Sequence, residues 1–208
     1  MAAFGKNDNE DYYEYISKIR WISYFHQIEE ILNFEPNSIL EIGSGMGVLK
    51  VVLKEVLNQN IETMDLYDTF KPDHIGSVTA IPFPDNVYDV VSCFQVLEHL
   101  PFDDLEKGLS EMMRVSSKAV IISLPNANRP LRIHFSIKNI NIIIKKFILK
   151  NKIKSKNHFW EINLKGYDEK KIRKLLSNIA IKNNFTLSKD FRVIETPFHH
   201  FFIFTKNI

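Results

Sequence analysis

The sequence predicts an α/β fold in which a mostly parallel sheet carries helices on both faces. Three observations predict it. Short apolar runs alternate with segments of helical spacing; the first run ends in the turn Gly43-Ser44-Gly45-Met46-Gly47; and Val87–Phe94 and Lys118–Leu124 are nearly continuous apolar runs suited to strands covered on both sides. Crossovers between the parallel strands are expected to be right-handed. The 208 residues, 45% hydrophobic and 25% charged, suffice for one core without a disulfide or structural metal, and exclude collagen-like and low-complexity chains.

Residues 11–35 read as a lead-in helix: Tyr12, Ile16, Ile19, Trp21, Tyr24, Phe25, Ile28 and Leu32 recur at roughly helical spacing, and Pro36 stops the pattern. Ser38–Ile42 is a short apolar strand, the glycine turn follows, and Val48–Leu57 suits a buried helix. Ile61–Asp65 is expected as the second strand, His74–Val78 as the third and Val87–Phe94 as the fourth. Asp104–Val115 reads as a helix and Lys118–Leu124 as a fifth strand that Pro125 cuts off. Asp168 suits the N-cap of a helix running to Ala180, and Phe185–Ile194 and Phe198–Thr205 close the chain as an antiparallel pair. The single domain thus divides into the lead-in helix, a core over 38–124, a basic cap inserted over 126–166, and closing elements over 167–208.

The net charge of +2 conceals an asymmetry: residues 1–128 hold 9 Lys+Arg against 20 Asp+Glu, and residues 129–182 hold 15 against 3. Two oppositely charged surfaces are expected. The single cysteine, Cys93, excludes an internal disulfide and the paired-cysteine spacings of zinc and redox motifs, which fits a reducing compartment. The start MAAFGKNDNE lacks the basic and apolar regions of a secretory signal, and no apolar run reaches transmembrane length. A cytoplasmic setting is expected, with peripheral contact at the inner membrane face if the basic segment serves for it.

A glycine turn at the carboxyl end of a first strand lets a ligand approach the main chain, and the helix start behind it favours an anionic group. The spacing Gly43-x-Gly45-x-Gly47 differs from the Gly-x-Gly-x-x-Gly of dinucleotide binders, which disfavours a nicotinamide-dependent reductase, and Glu41 lies two residues before the first glycine. The same glycines also suit a tight turn with no ligand. Asp65 ends the second strand about 20 residues on, where a carboxylate can accept hydrogen bonds from a ribose diol. From Ile39 to Pro125, about two fifths of the chain, the sequence resembles the class I S-adenosylmethionine-dependent methyltransferases, particularly their broad small-molecule group. The segments ILEIGSGMG, MDLYD, IPFPDNVYDVV and VLEHL match that superfamily's glycine motif, second-strand acid, Pro-Phe motif and post-strand-four motif.

The resemblance implies a Rossmann-like fold with a mostly parallel seven-stranded sheet, here with a basic helical insertion after strand five, and S-adenosyl-L-methionine as cofactor. Gly43, Ser44 and Gly45 would line its methionine part, with Glu41 ordering the turn. Asp65 would hold the ribose hydroxyls and Leu66 would pack on the adenine. The family often carries an aspartate for the adenine amino group where this chain has Ser77, so adenine contacts would weaken or move to the Val78 backbone. Phe94 and Gln95 would sit beside the methionine and sulfonium end.

Methyl transfer from a sulfonium is an in-line displacement that positioning alone accelerates. For a hydroxyl acceptor a base helps, and His99, then His158, are the candidates; His99 equally suits a residue that only organises the loop after strand four. Gln95-x-x-Glu98-His99 is similar to a pattern in metal-assisted O-methyltransferases of the small-RNA and ubiquinone-pathway groups, where a glutamate at the first position ligates a divalent cation. Gln95 puts an uncharged amide there, so no metal site is expected, although Glu98 and His99 with His134 or His158 keep one conceivable.

Residues 136–154, SIKNINIIIKKFILKNKIK, set Ile137, Ile140, Ile144, Phe147 and Ile148 on one helical stripe ringed by lysines. A lid with solvated lysines is the first reading, contact with an anionic membrane or lipid-linked acceptor the second, and RNA binding the third. Phe159 and Trp160 are expected to bury the end of the insertion or to wall an acceptor pocket, and His199 and His200 to serve strand packing on opposite faces. The expected function is methyl transfer to a small or lipid-linked acceptor, at oxygen. The alternatives are a non-catalytic nucleoside-binding module whose basic cap holds a partner or RNA, and an RNA methyltransferase.

Overall fold

The computed structural model describes residues 17–137, 140–150, 157–193 and 195–207, with side chains described outside 129–150. The helices are α1 (Lys18–Leu32), α2 (Val48–Val51), α3 (Leu105–Val115) and α4 (Glu169–Lys182). The strands are β1 (Ile39–Ile42), β2 (Ile61–Asp65), β3 (His74–Ile75), β4 (Tyr88–Phe94), β5 (Ser116–Pro125), β6 (Asn128–Ile137), β7 (Ile140–Lys150), β8 (Phe185–Arg192) and β9 (His199–Lys206). Seven of the strands form one sheet in the order β3-β2-β1-β4-β5-β9-β8. β1 to β5 run parallel, while β9 lies antiparallel to both β5 and β8. The strand order reverses between β1 and β4, which opens a crevice at their carboxyl ends.

Strand alternation divides the core in two. Leu40, Ile42, Val91, Cys93, Val120, Ile122, Phe202 and Phe204 face α3 and α4, where Leu109, Met112, Leu176 and Ile179 meet them. Ile39, Val90, Ala119, Ile121, Phe201 and Ile203 face the other way, onto Ile31, Leu49 and Leu53. Both faces are apolar, and this is why the central strands read as unbroken apolar runs.

The lead-in helix begins at Ser17, whose hydroxyl accepts from the Arg20 amide, and residues 11–16 lie outside the described residues. Its faces differ from the expectation: Ser23, Gln27, Glu30 and Ile31 are buried, whereas Ile19, Trp21 and Phe25 are exposed. The polar side of α1 faces inward because Ser23 and Gln27 line the cleft described below and Glu30 accepts from Lys189. β3 is confined to His74–Ile75, since Ser77 leaves the ladder in a turn closed by Ala80 N–H donating to the Ser77 carbonyl. α2 widens over Val52–Val56 into a π-turn, with Leu57 N–H donating to the Val52 carbonyl.

The helical insertion expected after strand five is instead a two-stranded antiparallel ribbon, β6 with β7, pairing Asn128 with Lys150 and Ile137 with Ile140. Its isoleucines are stiff at the β-carbon and favour extended backbone, and a register shift accommodates Pro130, which has no amide hydrogen to donate. His134 and the stripe read over 136–154 fall outside the described side chains. The ribbon is rooted by Asn126, whose side-chain amide donates to Glu169 and meets buried His200, while its oxygen accepts from Asn163 and the Asn128 amide. As expected, Asp168 caps α4, accepting from the Lys170 amide at 2.9 Å. Among the described residues no helix is long and apolar enough to cross a membrane.

Phe204 is fully buried at the sheet face under α4. Truncation to alanine removes its contacts and leaves a cavity, so Phe204→Ala should lower unfolding free energy by about 3–5 kcal/mol. Urea denaturation measures this as a lower midpoint at an unchanged slope.

Candidate active site

The crevice at the carboxyl ends of β1 and β4 opens into a cleft of about 670 Å³, a size suited to a cofactor. Two glycines shape its floor with left-handed backbone, Gly43 at φ 78° and Gly45 at φ 49°, and Gly47 at φ 72° leads the turn into α2. At Gly43 a β-carbon would lie 2.2 Å from Val96 Cγ2, so only glycine allows the turn to close against the loop after β4. At Gly45 a β-carbon would meet no protein atom within 4 Å. Gly43 N–H donates to the Met64 carbonyl at 2.8 Å, which ties the turn to β2.

Glu41 is buried in the cleft floor and its Oε2 has no hydrogen-bond partner among the described residues. Burial raises its pKa to about 8; Asp65 adds to the rise and Lys50 opposes it. Asp65 ends β2 at the cleft rim, where its Oδ1 also accepts from the Tyr67 amide. Leu66 beside it is 53% exposed, an apolar surface open to the cleft. Ser77 and Val78 line the same end, with the Ser77 hydroxyl 2.9 Å from that of Thr79. Thus Glu41, Gly43, Ser44, Gly45, Asp65, Leu66, Ser77, Val78, Phe94 and Gln95, all expected around a cofactor, converge on one cavity.

Gln95 holds a left-handed φ of 58° without being glycine, a conformation costing about 1–3 kcal/mol that the surroundings must enforce. Its amide hydrogen bonds to the Ser123 carbonyl and its side-chain Nε2 donates to Ser123 Oγ at 3.1 Å. The twist directs the chain into Leu97–His99, so that Glu98 turns into the interior while His99 stays at the lip.

There the structure brings together Glu98, His99 and His158, a grouping the sequence left conceivable. Glu98, His99 and His158 bring one ligating atom each to within 4.8 Å of one another, and the two imidazoles meet edge to face at 4.8 Å. His99 Nδ1 lies 3.0 Å from the Asn157 carbonyl and His158 Nδ1 lies 2.9 Å from Glu161. Both rings are thereby oriented with Nε2 left for other partners. Neither oxygen of Glu98 has a partner among the described residues, and burial lifts its pKa to about 8. Burial lowers the pKa of His99. The Phe159 amide donates to the Glu98 carbonyl and fully buried Trp160 packs on Phe102 and Tyr167, so the segment after the ribbon anchors His158; Phe159 itself is exposed.

Ser23 and Gln27 of α1 and His199 of β9 also line the cleft, and sequence reasoning missed them. The one available signal was a pair of polar residues four apart on the helix, which an apolar-stripe reading discards. His199 differs from the packing role expected for it, whereas His200 is buried and hydrogen-bonded as a core residue.

A mostly parallel seven-stranded sheet, with a glycine turn and a second-strand acid at its switch point, defines the class I S-adenosylmethionine-dependent methyltransferase fold. Residues 40–123, about two fifths of the chain, match the family model for a methyltransferase domain. It is 30% identical to an uncharacterized methyltransferase of Schizosaccharomyces pombe over 39% of this chain and 37% of that protein, and so spans little more than a third of that relative. A methyltransferase from Clostridium acetobutylicum shares the fold at TM-score 0.61 and 12% identity, covering 96% of this chain and 99% of that one. The methyltransferase domain of bacterial CtHen1 shares it at TM-score 0.64 and 16% identity, covering 90% and 100%. The Synechocystis magnesium protoporphyrin IX methyltransferase, solved with bound S-adenosylmethionine, aligns at TM-score 0.55 and 13% identity over 99% and 87%.

Folded Glu41 keeps its proton up to about pH 8, whereas the unfolded chain releases it near the ordinary glutamate value. Between these values the unfolded state binds fewer protons, so this group makes stability fall as pH rises. The urea midpoint of the ligand-free chain should therefore drop more steeply between about pH 5 and pH 7.5 than that of Glu41→Gln. Parallel profiles would show that Glu41 is ionised in the folded protein.

Proposed function

We propose that this chain transfers a methyl group from S-adenosylmethionine to an oxygen of a small or lipid-linked acceptor. The observation that carries the reading is one continuous cleft joining Glu41, the glycine turn and Asp65 to the Glu98, His99 and His158 group. The unpartnered Glu41 oxygen suits the cofactor's ammonium, the open space above Gly45 suits its methionine chain, Asp65 suits the ribose diol, and Leu66 suits a face of the adenine. S-adenosylmethionine supplies an electrophilic methyl on its sulfonium.

The protein's part is to orient the acceptor oxygen in line with that methyl and to remove its proton. His99 is the first candidate for the proton, since its Nδ1–H is held by the Asn157 carbonyl and its Nε2 carries a lone pair. His158, fixed by Glu161, is the second.

The grouping of Glu98 with both histidines favours a second reading, in which a divalent cation is held there. One unpartnered carboxylate and two oriented imidazoles suit such an ion, and it would polarise the acceptor oxygen. Gln95 supports this less well than a carboxylate would, as its Nε2 is already committed to Ser123.

Calorimetric titration with S-adenosylhomocysteine tests the cofactor reading. Asp65→Ala should weaken binding by about 10- to 100-fold, the loss of charge-assisted hydrogen bonds, with an unchanged circular dichroism spectrum. No binding by the wild type refutes the reading, and an unchanged affinity in the variant removes Asp65 from it.

Zinc or manganese titration of chelator-treated protein tests the second reading. Glu161→Ala should weaken metal affinity by about 10- to 100-fold by freeing His158. A wild type that takes up neither ion refutes it.

A further inference from the structure

α1 and the first residue of β9 meet on the wall of the cleft away from Asp65. Gln27 Nε2 donates to Ser23 Oγ at 3.2 Å, and Ser23 Oγ lies 2.7 Å from His199 Nδ1. Gln27 and Ser23 are 5% and 2% exposed, and all three residues line the cleft. Buried polar groups on the inner face of a helix are costly unless their hydrogen bonds are used, and apolar residues would pack this position more cheaply. Ser23 Oγ receives the Gln27 hydrogen, so its own hydrogen is free to go to His199 Nδ1. With the serine hydrogen so placed, Nδ1 accepts and the proton of the neutral ring sits on Nε2. Burial, and secondarily the charge of Arg20, hold the His199 pKa down at about 4, which keeps the ring neutral. Among the described residues Nε2 has no hydrogen-bond partner, so the relay ends in an N–H donor within the cleft.

We propose that His199 is a positioning residue for the methyl acceptor, holding a carbonyl, carboxylate or hydroxyl oxygen of that molecule through Nε2–H, with Ser23 and Gln27 fixing the tautomer. The inference rests on the methyltransferase reading above and adds to it an acceptor that carries a second oxygen besides the one methylated. The sheet order supports the assignment to acceptor rather than cofactor. β9 lies on the side of β4 away from β2 and Asp65, and two steps of about 4.8 Å set it roughly 10 Å beyond β4, whose Phe94 and Gln95 are expected at the sulfonium end, which is the side an acceptor must occupy.

Long-range proton–nitrogen correlation on the ¹⁵N-labelled full chain at neutral pH, saturated with S-adenosylhomocysteine, reads the tautomer directly. The expected result is His199 neutral with its proton on Nε2, changing to a mixture of tautomers in Ser23→Ala and restored in Ser23→Thr. A proton on Nδ1, or an imidazolium, overturns the proposal. Catechol and benzoate then serve as acceptor probes, and either should shift the His199 Nε2 signal of the wild type. Probe affinity should fall about tenfold in His199→Phe and stay within about threefold in His199→Gln, which keeps a donor amide. No shift with either probe, or equal probe affinity in His199→Phe, overturns it, as does loss of S-adenosylhomocysteine binding in a folded His199→Phe, which would assign the residue to the cofactor. Failure of the wild type to bind S-adenosylhomocysteine sinks the methyltransferase reading instead, and the tautomer of the ligand-free chain still decides the relay.

Discussion

β1 pairs in parallel with β2 on one side and β4 on the other, with Ile42 level with both Met64 and Cys93. The chain leaves β1 and β4 in opposite directions, since the neighbours that follow lie on opposite sides of the pair. No connection can bridge the gap above these two strand ends, and the gap becomes the cleft. The close approach of Gly43 to Val96 fixes its width, and the left-handed Gln95 decides which residues of the following loop turn inward. A change in this one pairing would disperse the candidate cofactor residues and the histidine group alike.

The cleft concentrates chemistry that the rest of the fold excludes. Glu41 and Glu98 are buried carboxyls, with Glu41 Oε2 and both oxygens of Glu98 unpartnered among the described residues, and desolvation raises the pKa of each to about 8 because it disfavours the charge. Such groups destabilise a ligand-free chain, and the two apolar layers on either side of the sheet offset that cost. A ligand that supplies a cation or a donor to either carboxyl recovers part of it on binding, which couples occupancy to stability.

Much of the fold was legible because the central strands are covered on both faces and therefore carry near-continuous apolar runs. The glycine turn and Asp65 were legible for a different reason: a turn that closes on neighbouring atoms tolerates few residue types. The ribbon was misread as a helix because SIKNINIIIKKFILK is apolar at helical and at strand spacing alike, and β-branching decides between them. α1 was recognised but its faces were not, since Ser23 and Gln27 look solvent-facing until the cleft beneath them is known. The members of the histidine group were named from the sequence but their meeting was not fixed by it: Glu98-His99 is local, whereas His158 is brought in by contacts of Phe102 with Trp160 and Tyr167 that no spacing rule encodes.

β9 enters the sheet between β5 and β8, although it is made last of the three. A nascent chain stopped between residues 125 and 199 thus displays β5 with one ladder of hydrogen-bonding groups open, and Val120, Ile121, Ile122 and Leu124 make that strand strongly apolar. Ribosomal synthesis therefore passes through a stage in which the parallel half of the sheet is ready to pair with whatever strand it meets. Rapid zippering of the final hairpin, β8 onto β9, competes directly with self-association.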